Sequence, residues 1–381
     1  MQPIPPQDAG NAPDHDSYDA DEENRLGMMY SSGEGVPQDW AQAKYWFRRA
    51  AEKGHANAQF NLGVIYGNGR RTQDYAHALL WYRKAAAQGH PKAQFNLGLM
   101  YGNGQGVPQD HAQARAWYTS AAEAGHAGAQ NNLGLIYVNG LGVAPDPAAA
   151  LHWFSLAAAQ NDAAAQNNLG MMHGAGKGTT QDHAQAAQWY RKAADAGYAL
   201  AQTNLAALYE NGQGVPADMD QALAWYRRAA EGGSTRAQFR MAQIYDGGEG
   251  VARDAAQAIT WYCRAAEGGH VEAQFRLGLR YDNGQDVRRD AAQALSWYRR
   301  AAEGGHARAQ FNAGVMHAQG EGAEMDLVQA WVWLDRAAHR DVETAARARR
   351  EAESRMSPEQ MARARELAQQ GARPASEGSG A

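Results

Sequence analysis

Cysteine is almost absent from this chain of 381 residues: Cys263 stands alone, so no intrachain disulfide can form and a cysteine-based metal cluster is excluded. That usage fits a reducing compartment. Long hydrophobic runs are also missing, and no apolar stretch approaches the roughly 18 residues that a membrane span requires. The opening Met-Gln-Pro-Ile-Pro-Pro-Gln-Asp has neither a basic n-region nor an apolar h-region, so no secretory signal is legible. The expected location is the cytoplasm, with a periplasmic or non-classically exported protein as the other reading. His-Glu-x-x-His, Gly-x-Ser-x-Gly and Walker sequences do not occur. Lys and Arg are missing from residues 1–24, which carry Asp8, Asp14, Asp16, Asp19, Asp21, Glu22 and Glu23. The whole chain has a formal charge of −5, so the remainder is slightly positive. A negative balance without a basic face along the full length argues against nucleic acid.

What is present is a period. Trp46, Trp81, Trp117, Trp153, Trp189, Trp225, Trp261, Trp297 and Trp333 follow one another at 36 residues, except for a first step of 35. Self-similarity at that spacing marks a stacked-repeat solenoid. The third repeat shows its grammar. Gly89 and His90 close one helix, and Pro91 occupies a first helical position, where its missing amide costs nothing. Helix A then runs through Ala93, Leu97, Gly98 and Tyr101 at 3.6-residue spacing. The Gly-Val-Pro segment ending at Pro108 breaks it, and Asp110 begins helix B with Ala114, Trp117, Tyr118, Ala121 and Ala122 before Gly125 stops it.

An aspartate stands seven residues before every repeat tryptophan, from Asp39 and Asp74 to Asp326, and seven of the nine have Gln three positions on. This reads as an Asp version of the capping box. Alanines at Trp−3, Trp+4 and Trp+5 let helices approach closely, while Trp and its aromatic neighbour fill the space between layers. Burying one such aromatic removes roughly 150–250 Å² from water, worth about 4–6 kcal/mol as an upper bound. Gly at Trp+8, with Asn161 as its one inner replacement, suits a left-handed helix terminus. The domain reading is a disordered acidic tail over 1–19, nine repeats over 20–342, capping helices over 343–371 and a disordered tail over 372–381. In the ninth repeat Asp341 replaces the closing Gly, and Ser357-Pro358-Glu359-Gln360 starts a further helix that covers the last layer.

Units such as Ala93-Gln-Phe-Asn-Leu-Gly-Leu-Met-Tyr-Gly-Asn-Gly-Gln-Gly-Val-Pro-Gln-Asp, followed by Trp117-Tyr and Ala121-Ala-Glu-Ala-Gly, resemble Sel-1-like repeats, relatives of tetratricopeptide repeats. The resemblance covers about residues 22 to 341. It implies an all-α fold, a right-handed α/α superhelical solenoid. It also implies a non-enzymatic adaptor of bacterial type that assembles protein complexes and needs no cofactor. The departures are local: Ala206 and Ala242 replace the helix-A Gly, His173 and His317 replace its Tyr, and the second repeat lacks Gly-Val-Pro.

Each candidate for chemistry has a structural counterpart. The Gly102-x-Gly-x-Gly loop follows a helix where a nucleotide fingerprint needs a strand, so it reads as a connector. The aspartates read as caps. His55, His90, His126, His270 and His306 lie one layer apart, too far to share a metal whose bonds are about 2 Å, and read as turn or cap residues. Cys263 reads as a packed thiol.

Helix A has a second face, away from the packing seam, which the tetratricopeptide resemblance places along the concave groove. It carries Asn61, Asn96, Asn132, Asn168 and Asn204, then Arg240, Arg276 and Asn312. Its amides could hold an extended peptide backbone, or bond to adjacent repeats. Arg236, Arg240, Arg276, Arg280 and Arg308 would form a basic stripe that pairs with carboxylates on a partner, or a solvated face paired locally with Glu272, Asp246 and Asp282. The acidic N-terminal tail could occupy the stripe in cis. The functional expectation is a scaffold binding a partner protein or peptide, possibly acidic, in the groove. One alternative is a glycan- or cell-envelope-binding module using Phe60, Phe95, Phe239, Phe275 and Phe311, which could instead be interlayer core. The other is a β-lactam hydrolase by analogy with cysteine-rich relatives, whose cysteine pair per repeat this chain lacks.

Overall fold

The computed structural model describes residues 18–68, 72–340 and 344–372. Most of the expected N-terminal tail, nearly all of the C-terminal tail and Asp341 lie outside these residues. The chain divides into two compact units, Met1–Ala193 and Ala194–Ala381. The first holds α1 (Ala20–Ser32), α2 (Trp40–Glu52), α3 (Ala56–Gly67), α4 (Thr72–Ala87), α5 (Pro91–Asn103), α6 (His111–Glu123), α7 (Ala127–Asn139), α8 (Pro147–Ala159), α9 (Ala163–Ala175) and nearly all of α10 (His183–Asp195). The second holds α11 (Ala199–Asn211), α12 (Met219–Glu231), α13 (Thr235–Gly247), α14 (Ala255–Glu267), α15 (Val271–Asn283), α16 (Ala291–Glu303), α17 (Ala307–Gln319), α18 (Leu327–Ala338), α19 (Ala345–Glu353) and α20 (Pro358–Ala372). Odd-numbered helices through α17 are helix A and even-numbered ones through α18 are helix B. Within each unit, helix A packs on the helix B that follows it and, less extensively, on the one before. The architecture is an all-α solenoid of helix pairs ending in a capping helix.

Local chemistry sets the boundaries. Asp110 accepts from the Ala112 and Gln113 amides at 2.9 Å, and Asp218, Asp254, Asp290 and Asp326 each accept from the amide of the glutamine three residues on. The glutamine's return bond in the expected capping box is replaced. The Asp110 amide donates instead to the Tyr101 carbonyl nine residues back, and Asp254 and Asp290 do likewise to Tyr245 and Tyr281, each at 2.9 Å. That bond closes the A–B loop, so the amide has nothing left to give the glutamine. Asp74 also departs from the expected role: it lies inside the first turn of α4, where its charge opposes the positive helix end. Asp19, assigned to the tail, caps α1 in a complete capping box with Glu22.

The close approach of helices A and B rests on one contact. A Cβ on Gly98 would lie 2.5 Å from the Tyr118 ring, and one on Gly134 would lie equally close to Phe154. The tyrosine, phenylalanine or leucine after each tryptophan is therefore the main interlayer filler, with Tyr298 fully buried. The tryptophans sit further out. Trp46, Trp81, Trp225, Trp261 and Trp333 are buried and the other four half-buried, with a basic side chain over the ring in several repeats, as Arg264 covers Trp261. A further tie was not anticipated. Buried Gln59, Gln130, Gln238 and Gln310 each donate a side-chain N–H to the carbonyl eight residues earlier, at the end of the preceding helix B. No helix B precedes the first repeat among the described residues, and Glu23, fully buried at this position, instead accepts from Arg49 of α2 and from Lys53 at its end.

At the other end Ser357 and Gln360 form the expected reciprocal cap, at 3.2 and 2.9 Å. Helix α20 does not pair with α19 as a helix B would. It lies on α18, where Ala364, Met361 and Leu367 meet Trp331 and Val332. Trp331, the tryptophan that α18 carries in addition to the repeat Trp333, is thus part of the docking surface for the cap.

Candidate partner-binding face

The asparagines of helix A are tied into the stack. Asn96 is hydrogen-bonded to the hydroxyl of Tyr82 on the preceding helix B; burial pushes that hydroxyl up to about 12 against the opposing effect of the amide. Asn132 bonds Tyr118 in the same way, and Asn168 donates to Asn131 at 2.9 Å. Asn61 and Asn204 are half-buried at the same position. In the second unit Asn312 repeats the bond, to Tyr298. The amides of Asn96, Asn132, Asn168 and Asn312 therefore keep only part of their hydrogen-bonding capacity for a ligand.

The arginines separate into two sets. Arg280 stands where Met100, Met172 and Met316 stand in other repeats and is buried, its side chain only 5% exposed. It donates to Asp246 and Asp286, the latter at 2.9 Å. It cannot reach a partner, which removes it from the expected stripe. Arg240, with a side chain 25% exposed, pairs with both Glu210 and Glu249. Burial opposes ionisation of Glu210, yet bonds from Arg240 and Tyr226 hold its carboxyl below the usual range. These two arginines serve the joints between repeats, so a continuous basic stripe does not exist. Arg236, Arg276 and Arg308 form the other set and are exposed. Arg276 pairs with Glu272 one turn away at 2.8 Å, a bond with little value in solvent.

Two of the acids that neutralise the first set, Glu210 and Asp246, share their place in the repeat with Asp282. Glu210, Asp246 and Asp282 each come directly after the helix-A tyrosine, where Gly67, Gly102 and Gly174 stand in the first unit. Each also receives the hydroxyl of the tyrosine on its own helix B: Tyr226 to Glu210 at 2.6 Å, Tyr298 to Asp282 at 3.1 Å, and Tyr262 to Asp246 at a longer 3.4 Å. Asp246, Asp282 and Glu272 were anticipated as local partners; Glu210, Glu249 and Asp286 were not. Asp286 occupies the left-handed conformation, φ +59°, at a position filled by glycine in Gly106, Gly142 and Gly250. Arg253, at 2.8 Å, and Arg280 hold its carboxyl below the usual range. A non-glycine residue there is the sequence signal that was passed over.

Two clefts open on the helix-A face of the second unit. The larger, about 770 Å³, has a floor of Phe275, Leu279, Ala307 and Phe311, with Arg276, Arg308, Glu272 and Asn312 around it. The smaller, about 370 Å³, is polar and includes Arg253, Tyr262 and Gln285. Arg276 lines both. The phenylalanine row is interlayer packing for the most part: Phe60, Phe95, Phe239 and Phe275 each stack on the histidine of the next repeat, at centroid distances of 4.7, 4.5, 4.3 and 4.1 Å. Phe311 lines the larger cleft and is half-buried. The histidines are helix caps, each Nδ1 accepting a backbone amide, as His126 does from Ala129 at 3.2 Å. Among the described residues, no group of three or more His, Cys, Asp or Glu is placed to hold a metal.

Nine consecutive Sel1 repeats match residues 23–55, 56–90, 91–126, 127–162, 163–198, 199–234, 235–270, 271–306 and 307–342. The chain belongs to the Sel1 repeat family. A Sel1 repeat protein from Oxalobacter formigenes is similar at 31% identity, over 91% of this chain and 96% of that one, with a TM-score of 0.64. A protective antigen of uropathogenic Escherichia coli strains, displaying an SLR fold, is similar at 37% identity over 92% of this chain and 84% of that one, with a TM-score of 0.58. No curated protein matches the chain. The Sel1 repeat is a non-catalytic protein-interaction module, and the chain is a scaffold of that kind. No helix among the described residues is long and apolar enough to cross a membrane.

Proposed function

We propose that this Sel1 repeat scaffold holds its partner as an extended peptide segment along the helix-A face of the second unit, over α13, α15 and α17. The observation that carries this reading is the larger cleft. Its volume of about 770 Å³ lies within the usual range of ligand sites, roughly 300–1,000 Å³. It joins an apolar floor to convergent polar groups, as such sites do. A glycan-binding module would present aromatic platforms to solvent, whereas four of the five phenylalanines are stacked against histidines. The location we expect is the cytoplasm.

Site-resolved photo-crosslinking in the native cell tests the reading. A photoreactive residue is placed at Phe311 or Arg308 in the cleft, and at Ser296, exposed on α16. Adducts with one protein from the cleft positions, and none from Ser296, support it. Adducts only from Ser296, or equal adducts from all three, overturn it.

A further inference from the structure

The pairing of charges inside the second unit says which chemistry its exposed face will accept. The acids that could have neutralised that face are engaged elsewhere. Glu210 and Glu249 hold Arg240, while Asp246 and Asp286 hold buried Arg280. At the larger cleft the lining carboxylate is Glu272, which bonds the Arg276 guanidinium through Oε1 at 2.8 Å and His306 Nε2 through Oε2 at 3.1 Å. Both of its oxygens are used. Arg308, exposed beside the same cleft, makes no ion pair among the described residues.

The rim is therefore cationic above an apolar floor. Position by position, this is where the second unit departs from the first. The residue before the leading helix-A alanine is Asn57, Gly128 or Ala164 there, with Lys92 the sole cation, whereas here Arg236 and Arg308 stand beside Leu200 and Glu272. The residue three beyond that alanine is Asn61, Asn96, Asn132 and Asn168 in the first unit, whose opening repeat has Arg25 at the equivalent place; the second unit keeps Asn204 and Asn312 but has Arg240 and Arg276 between them. Arg240 is used in a joint between repeats, but stacking does not demand Arg236, Arg276 or Arg308, because the layers of the first unit stack without them.

We infer that the occupant of the α15–α17 cleft is an acidic peptide segment carrying one bulky aliphatic or aromatic side chain, which enters between Phe275, Leu279 and Phe311 while a flanking carboxylate pairs with Arg308. The inference rests on the proposed peptide-binding role and narrows its partner class. An arginine fork is suited to bidentate carboxylate recognition. The cleft has room for such a side chain, and burying an aromatic removes roughly 150–250 Å² from water. Asn312 uses part of its amide on Tyr298, and what remains can meet the peptide backbone. A basic segment would meet Arg276 and Arg308 without a free carboxylate among the described lining residues to answer it, so the face selects by charge as well as shape.

The test uses the full chain and a displayed library of random dodecapeptides, selected in parallel on the wild type and on Arg308→Glu. Enrichment on the wild type of sequences with one Phe, Trp, Leu or Ile flanked by Asp or Glu supports the inference. Those sequences should be lost on Arg308→Glu. The leading peptide, resynthesised with a fluorophore, should bind about tenfold more weakly to Arg308→Glu, and to Phe311→Ser where the floor is broken, with salt weakening the wild-type complex. Arg308 is exposed, so a retained circular dichroism spectrum and melting temperature should show the variant folded. The inference is overturned if wild-type selection yields basic or neutral sequences or none, or if the enriched acidic peptides bind Arg308→Glu equally well. Cleft-specific photo-adducts with a partner whose bound segment is basic would leave the scaffold role standing while removing its acidic occupant.

Discussion

Replacing Arg280 with methionine, the residue at this place in three other repeats, should damage the protein although it restores the repeat pattern. The reason lies in what the arginine leaves behind. Its side chain is 5% exposed and lies against Asp246 and Asp286, which are 26% and 19% exposed. Removing one partner of a buried ion pair costs about 3–5 kcal/mol, because a charge is stranded without compensation. Here the stranded carboxylates are partly solvated, and Asp286 retains Arg253 at 2.8 Å. The cost should therefore fall at or just below the lower end of that range, about 2–3 kcal/mol. The triple variant Arg280→Met, Asp246→Ala, Asp286→Gly removes the charges together and restores glycine at a left-handed position, φ +59°. Replacing a buried ionic group by apolar packing is often neutral or stabilising, so the triple variant should recover most or all of the loss. Native-state hydrogen exchange of the α13 and α15 amides is the appropriate assay, because repeat arrays need not unfold in one step. If the single variant exchanges like wild type, or if the triple variant is worse than the single, the account of the Asp246–Arg280–Asp286 cluster is wrong.

Three further expectations concern the stack itself. His90, His126 and His270 cap helices through Nδ1, which must be unprotonated to accept, and burial holds each imidazole below its ordinary value of 6.5. The folded state therefore binds fewer protons than the unfolded chain. The stability from these caps is complete above about pH 6.5 and is lost as the pH falls through that value towards the depressed one. Melting temperature should drop on acidification across this window, and substituting all three histidines with serine, the cap residue at Ser234, should flatten that part of the profile. Gly98→Val would drive a side chain into the Tyr118 ring, at 2.5 Å already for its Cβ, and should destabilise by about 1–3 kcal/mol. Ala206→Gly in the second unit should instead cost about 1 kcal/mol through helix propensity alone, a contrast that thermal melts can resolve. Burial pushes the half-buried Cys263 thiol above its usual range, so iodoacetamide at neutral pH should alkylate it more slowly than a free cysteine peptide. Equal rates would contradict that environment.

The period, the helix pairs, the loop breaks and nearly every cap were legible from residue order, because each depends on contacts within a few positions along the chain. Gly54, Gly89 and Asn161 show the left-handed conformation that their place after the last alanines required, with φ of 95°, 80° and 63°. Failures came where one backbone group had two possible partners. The Asp110 amide was assigned to its own glutamine, but the closed loop brings the Tyr101 carbonyl to it first. The candidate face was legible only in part, since helix periodicity places Asn96, Arg240, Arg276, Arg280 and Arg308 on helix A without saying what each meets.

The sequence by itself determined that this is a nine-repeat all-α scaffold and that the seventh to ninth repeats depart from the rest. Which of those departures faces outward was decided by tertiary structure alone. Arg280 and Arg308 read alike as basic residues on helix A, yet one is enclosed by Asp246 and Asp286 and the other stands open at a cleft. The physical reason is that charge pairing between neighbouring repeats joins residues about thirty positions apart, such as Glu210 with Arg240 and Asp246 with Arg280. Only stacking of the layers fixes the distances that decide whether an arginine is spent on the fold or left for a partner.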